Sequence, residues 1–332
     1  AGVAIAPYVI KTPLIYSSTF SRITGAHVYL KLETLQKAGS FKIRGAMNKI
    51  LAHSKRTELT GVITASAGNH AQGVSVAAQA AGISATVIMP LWSSLSKQEA
   101  SRGYGADVHL YGQTLEESMN RAMELANEEM PYVHPFADPE IIAGQGTIGL
   151  EICDDLPSPD IIVVPVGGGG LVSGISVAVK NQVASCKIIG VQADACPFAY
   201  LSKYGNDRVS IKNEWTLADG IRVTRPGTCT LPYIREMVDK IVLVDDGEIS
   251  DAMLWLLERK KIVAEGAGAT PLAALLSGKF SFPKGSRIVL VISGGNVDSH
   301  QLSRVMRQAL AREGRLVRLS FVIEDQPGSL AE

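Results

Sequence analysis

Short runs rich in valine and isoleucine recur along this chain, each followed by a stretch of helical periodicity. That alternation restricts the fold more than any other feature. In the first part, Val28–Leu32, Val62–Ala65, Ala85–Met89, Val108–Tyr111 and Tyr132–His134 read as strands. Helices are expected from Arg44 to His53 and over His70–Ala81, Ser94–Tyr104 and Thr114–Glu129. Within the last of these, Leu115, Met119, Ala122, Met123 and Ala126 form one apolar stripe, expected to face the core. A second series follows Ala137-Asp138-Pro139, with strands Ile161–Val164, Ile188–Val191, Ile241–Val244 and Ile288–Ile292. Its expected helices are Glu140–Asp155, Ser173–Gln182, Gly247–Lys260, Gly268–Ser277 and Ser299–Arg312. Apolar strands alternating with helices predict parallel sheets covered on both faces, so the fold class is α/β.

Two series imply two open-twisted lobes, and 332 residues exceed a usual single core. Lys11–Ser18 is an extended lead-in, because Pro13 disfavours helix at Thr12. The segment reaching Lys42 is expected to join the second series. The large lobe then comprises residues 1–44 and 140–314, with a smaller lobe, 45–139, inserted. Leu316–Ile323 alternates like an antiparallel strand and Asp325–Leu330 is a loop; a lone strand cannot bury a core, so this tail reads as the opening of a further domain.

Charge excludes some partners. The 32 basic residues balance 32 acidic ones, which argues against nucleic acid or an anionic membrane surface. No apolar run reaches membrane-spanning length, and Ala1–Ile10 lacks the basic flank of a secretory signal. Cys153, Cys186, Cys196 and Cys229 show no metal-type spacing and fit a reduced, cytoplasmic compartment.

Four motifs carry the chemistry. In Gly39-Ser40-Phe41-Lys42-Ile43-Arg44-Gly45-Ala46 a lysine opens a helix. There it meets the positive end of the helix dipole. Lys42 is therefore either an ordinary solvated lysine or one whose charge is discharged, as in a Schiff base with a carbonyl cofactor. The apolar strand before Gly167-Gly168-Gly169-Gly170-Leu171 runs through these glycines into a helix, which gathers backbone N–H groups around one point. That is a phosphate cradle or a tight turn. A dinucleotide loop is disfavoured, because Leu171 falls where the spacing needs glycine, and no lysine follows Gly174 as a triphosphate loop requires. Ser66-Ala67-Gly68-Asn69-His70, again between strand and helix, suits a carboxylate or simply supplies a helix cap. Ser293-Gly294-Gly295-Asn296 ends a buried strand, where ligands of doubly wound sheets sit; Ser293 either bonds a ring nitrogen or caps the turn. No His, Cys or carboxylate cluster has metal-ligand spacing.

Taken in chain order, the four motifs resemble the fold-type II pyridoxal-phosphate enzymes, with a tryptophan synthase β-like architecture, and among them the threonine dehydratases. The likeness runs from about Thr12 to Arg312. It implies that Lys42 binds pyridoxal 5'-phosphate covalently, with Phe41 beside the ring. Asn69 would bond the phenolic oxygen, Gly167–Gly170 and Leu171 the phosphate, and Ser293 the pyridine nitrogen. Ser66, Ala67, Gly68, Asn69 and His70 would receive the substrate carboxylate. Glu265 resembles a glutamate near the cofactor or at a monovalent cation; no other metal is implied. A neutral serine at the ring nitrogen weakens the electron sink, which favours β-elimination over a long-lived carbanion. The expected reaction converts L-threonine to 2-oxobutanoate and ammonia, with L-serine giving pyruvate. Alternatives are a serine-specific dehydratase, another β-eliminating or β-replacing member, or a non-catalytic amino-acid or nucleotide sensor. Ala67 stands where serine racemases of the same family carry an acid/base serine, and Gln192 where they carry an acidic cation ligand. Residues 315–332 resemble the start of an ACT regulatory domain, implying an amino-acid effector, allostery and a place in isoleucine biosynthesis. Relatives imply a homodimer or homotetramer.

Overall fold

The computed structural model describes residues 1–205, 214–224, 227–317 and 319–320. Strands β1 (Leu14–Tyr16), β2 (His27–Leu32), β6 (Ile161–Pro165), β7 (Lys187–Ala193), β8 (Lys240–Val244) and β9 (Arg287–Ile292) form one sheet. Its order is β1-β2-β9-β6-β7-β8. All neighbours are parallel except β1, which pairs antiparallel with β2 at the edge. A separate parallel sheet has the order β3-β4-β5, from Gly61–Ala65, Ser84–Met89 and Asp107–Leu110. The α/β class and the joining of the early strand to the later series are thus observed. The buried runs are near-continuous, as in Ile161–Pro165 and Gly61–Ala65, because helices cover both faces of a parallel sheet.

The helix Lys42–His53 runs through the expected lobe boundary between 44 and 45. Its Ile43, Ala46, Met47 and Ile50 are buried in one cluster with Val62, Val74, Val87 and Ile141. A network of buried charges holds the other side of this helix. Arg44, fully buried, donates to both oxygens of Glu33 at 2.8 Å and to Glu151 at 2.6 and 2.9 Å. Lys31, also fully buried, donates to Glu151 at 2.5 Å and to the Thr12 carbonyl at 2.6 Å.

Several expected elements differ. The helix foreseen over Thr114–Glu129 is Leu115–Leu125. The Asn127 side chain accepts from the N–H groups of Glu129 and Met130, at 3.0 and 2.8 Å, and this local turn competes with further helix. Its apolar stripe faces the core only in part: Ala122 is buried, while Leu115 and Met123 are 43% and 48% exposed. Tyr132–His134 is not a strand but a single bridge from Tyr132 to Ile63. The helix foreseen over Gly247–Lys260 is α-helical from Asp246 to Trp255 and a π-turn from Leu256 to Lys260. Of the expected tail, residues 318 and 321–332 lie outside the described residues, and with them most of the ACT-like segment. Among the described residues no helix is long and apolar enough to cross a membrane.

Candidate active site

Strands β2, β9 and β6 lie side by side and parallel, so the segments leaving their carboxyl ends meet at one edge of the large sheet. After β2, the chain turns through Ala38 and Gly39, and Ser40 then bridges to Gly294 beyond β9. The Phe41 N–H donates to the Ser293 carbonyl at 3.1 Å, which sets Lys42 at the first turn of its helix beside Ser293. After β6 come Gly167–Gly169, and a helix opens at Gly170. Gly169 has φ +94°, and a Cβ there would crowd Ile234 and Thr230 at 2.7 and 2.8 Å. From the small sheet, β3 leads through Ser66–Gly68 into the helix Asn69–Ala81.

These segments enclose one cavity of about 540 Å³. Phe41, Lys42 and Ser293 line it from the large sheet, with Gly167–Gly170 and Leu171 beside them. Ser66, Ala67, Gly68, Asn69 and His70 form the wall from the small sheet, and Glu265 completes it. Every residue singled out in the four motifs as a ligand contact therefore reaches one space. The two helix starts, at Asn69 and Gly170, both open onto it, a disposition suited to anionic groups.

Burial pushes the Lys42 amine down to about 8, with Glu265 pulling weakly the other way. Its Nζ donates to the Pro135 carbonyl at 2.8 Å and lies 5.3 Å from the centre of the Phe41 ring. An amine in this state is readily neutral and nucleophilic. His70 is buried, and its Nε2 donates to the Val133 carbonyl at 2.9 Å. Desolvation, then the Lys42 charge, push it down to about 3, so it is neutral, and its buried Nδ1 has no hydrogen-bond partner among the described residues. It offers a substrate carboxylate no positive charge. Ser66 acts locally as well, accepting from the Gly68 N–H at 3.2 Å.

Asn69 is held at both ends. Its Nδ2 donates to the Glu265 oxygens at 2.7 and 2.9 Å, and its Oδ1 accepts from Asn296 Nδ2 at 2.9 Å. Burial, then Asp219, push the Glu265 carboxyl up to about 7; Asn69, Lys97 and Lys42 oppose this. Gly294 leaves room for that carboxyl, since a Cβ there would stand 2.5 Å from Glu265 Oε1.

Residues 5–294 match the family described as pyridoxal-phosphate dependent enzyme. The chain belongs to that family. Among its relatives, L-threonine ammonia-lyase of Thermotoga maritima is 48% identical over 97% of this chain and 80% of its own length. The catabolic L-threonine dehydratase of Staphylococcus aureus (strain N315) is 46% identical over 93% of this chain and 91% of its own. The structure of the processed form of threonine deaminase isoform 2 from Solanum lycopersicum superimposes with a TM-score of 0.87. It is 37% identical and covers 92% of this chain and 90% of its own. Maize serine racemase superimposes with a TM-score of 0.85 at 35% identity, covering 94% of this chain and 96% of its own.

The site suits the family's cofactor on its own chemistry. A half-buried amine with a lowered pKa stands in the same cavity as a glycine turn at a helix start, a buried serine and an amide. Those donors match an aldehyde, a phosphate, a ring nitrogen and a phenolic oxygen in turn. Sequence reasoning missed His134, Pro135 and Phe136. It quoted Asn296 within a motif without giving it a role, although an amide two residues beyond Gly294 is a recognisable polar signal. Gln192, which the resemblance puts at the position of an acidic cation ligand, accepts from the Tyr200 N–H at 2.8 Å. The four cysteines are free thiols.

Proposed function

We propose that the chain is a threonine ammonia-lyase, converting L-threonine to 2-oxobutanoate and ammonia and L-serine, secondarily, to pyruvate. The observation that carries this reading is Lys42, half-buried, with its amine held down to about 8 in the cavity that Gly167–Gly170 also lines. Lys42 would hold pyridoxal phosphate by its aldehyde, Gly167–Gly170 with Leu171 by its phosphate, Asn69 by its phenolic oxygen and Ser293 by its ring nitrogen. Phe41 would lie beside the ring. When bound, that group supplies an electron sink that acidifies the substrate Cα–H. The Lys42 amine, held below its ordinary value by burial, would take the Cα proton as general base. The Ser66–His70 loop orients the substrate carboxylate with its backbone N–H groups at the helix start. The Cα proton and the β-hydroxyl would leave in sum as one water, and a second water would hydrolyse the resulting unsaturated amine to the keto acid and ammonia.

Ala67 disfavours racemisation, because a methyl group transfers no proton. Turnover of L-threonine, L-serine and phosphohomoserine, compared side by side, tests the substrate: negligible threonine turnover would sink this choice. Borohydride reduction followed by peptide mass analysis tests the lysine. The label is expected on Lys42, and a Lys42→Ala protein that still released keto acid from threonine would overturn the reading.

Residues 1–44 and 140–314 would be the large cofactor lobe, 45–139 the small substrate lobe, and 315–332 the start of an ACT-like effector domain. The enzyme would act in the cytoplasm, in isoleucine biosynthesis, as a homodimer or homotetramer with an amino-acid effector.

A further inference from the structure

One turn touches both the lysine and the glycine loop. His134 Nδ1 accepts from the N–H of Phe136 at 3.1 Å and from that of Ala137 at 2.8 Å. Its ring meets the Phe136 ring edge-on, with centroids 4.7 Å apart and planes at 86°. So folded, the turn presents the Pro135 carbonyl to Lys42 Nζ at 2.8 Å. It also seats the Phe136 ring against Gly168 and the Phe136 backbone against Gly170, where a Cβ would stand 3.0 Å from its carbonyl oxygen.

We propose that His134 is a positioning residue of this site: its unprotonated Nδ1 folds Pro135–Ala137 into the turn that sets the spacing between Lys42 and the Gly167–Gly170 loop. Two N–H groups aimed at Nδ1 put the ring proton on Nε2. Burial, then the Lys42 charge, hold this imidazole down to about 4, so the acceptor persists through the neutral range. The turn itself follows from the hydrogen bonds; its consequence for catalysis rests on the pyridoxal-dependent reading above.

Two variants separate the acceptor from the ring. Asparagine keeps a side-chain oxygen able to take N–H groups two and three residues on, whereas leucine fills space and accepts nothing. Wild type, H134N and H134L are compared as holoenzymes by hydrogen exchange at the Phe136 and Ala137 amides, by pyridoxal phosphate retention on dialysis, and by kcat and KM with L-threonine. In H134L, exchange at both amides and release of pyridoxal phosphate are each expected to rise about tenfold. A similar loss, about tenfold, is expected in kcat/KM, borne mainly by kcat, since a displaced Lys42 costs reactivity more than binding. H134N is expected to stay within about threefold of wild type throughout. H134L matching wild type in exchange and retention overturns the proposal, as does H134N failing as badly as H134L. If H134L does not fold, H134N decides alone: retention supports the proposal and loss overturns it. A wild type that holds no pyridoxal phosphate, while exchange still depends on the acceptor, overturns the proposed function and leaves the turn standing.

Discussion

Asn69 donates its amide to both carboxylate oxygens of Glu265, at 2.7 and 2.9 Å, tying the helix that follows β3 to the residue that precedes the helix Gly266–Leu276. Burial and Asp219 hold that carboxyl near 7, above its ordinary 4.5. The folded protein therefore binds more protons than the unfolded chain between these values, and stability falls as pH rises through the window. The cofactor-free protein is expected to lose on the order of 3 kcal/mol from this group between pH 4.5 and 7. Urea midpoints across the window, against Glu265→Gln, check it. A slope unchanged in the variant rules out Glu265 as its source.

Lys42 has the opposite sign. Its amine is pushed down from 10.5 to about 8. Between those values the unfolded chain binds the extra proton, so stability rises with pH. In the cofactor-free protein the gain from pH 8 to 10.5 is expected to be on the order of 3 kcal/mol. Lys42→Met should remove that rise and be the more stable protein at pH 7, since it buries no charge. Denaturant melts at both ends of the window distinguish the two, and a variant less stable at pH 7 contradicts a desolvated amine.

Period and chemistry made the layout of this site readable in advance. A strand such as Ile161–Pro165, buried along its whole length, announces a parallel sheet. The glycine run after it and Lys42 at a helix start each violate what an ordinary surface would select. What sequence could not give was pairing at long range. Lys31 sits in a strand as its only charge and is wholly buried, because Glu151, 120 residues away, meets it. His134 likewise gave no signal, since its acceptor role depends on a turn that tertiary packing creates. The Thr114–Glu129 stripe misled because periodicity records which residues could face a core without recording how wide a core lies beneath.

Arg44 carries the next prediction. It is wholly buried and bonds two carboxylates, Glu33 and Glu151. Removing one partner of such a group strands the rest, at a cost of about 3–5 kcal/mol. Arg44→Met is expected to lose about that much in urea unfolding, and adding Glu33→Gln should recover part of it, because one stranded charge disappears. Arg44→Lys should also be impaired, since an ammonium cannot reproduce the fork that meets both glutamates. Full additivity of the first two substitutions would mean the charges are not coupled.

Gly73 sets the Asn69–Ala81 helix against the backbone of Lys42 and Ile43. A Cβ there would stand 2.9 Å from the Ile43 nitrogen, the Lys42 carbonyl carbon and Lys42 Cβ. Two of those atoms are backbone and cannot swing aside, so Gly73→Ala must part the helices. By propensity alone, glycine to alanine within a helix gains up to about 1 kcal/mol. Here overpacking should reverse the sign, to a net loss of about 1–3 kcal/mol, and displace the Lys42 amine enough to weaken borohydride-trapped pyridoxal phosphate. Gly103→Ala, whose Cβ would meet nothing within 4 Å, serves as the control and should be neutral or mildly stabilising. Thermal melts of the pair decide the matter: a stabilised Gly73→Ala protein is incompatible with so close an approach.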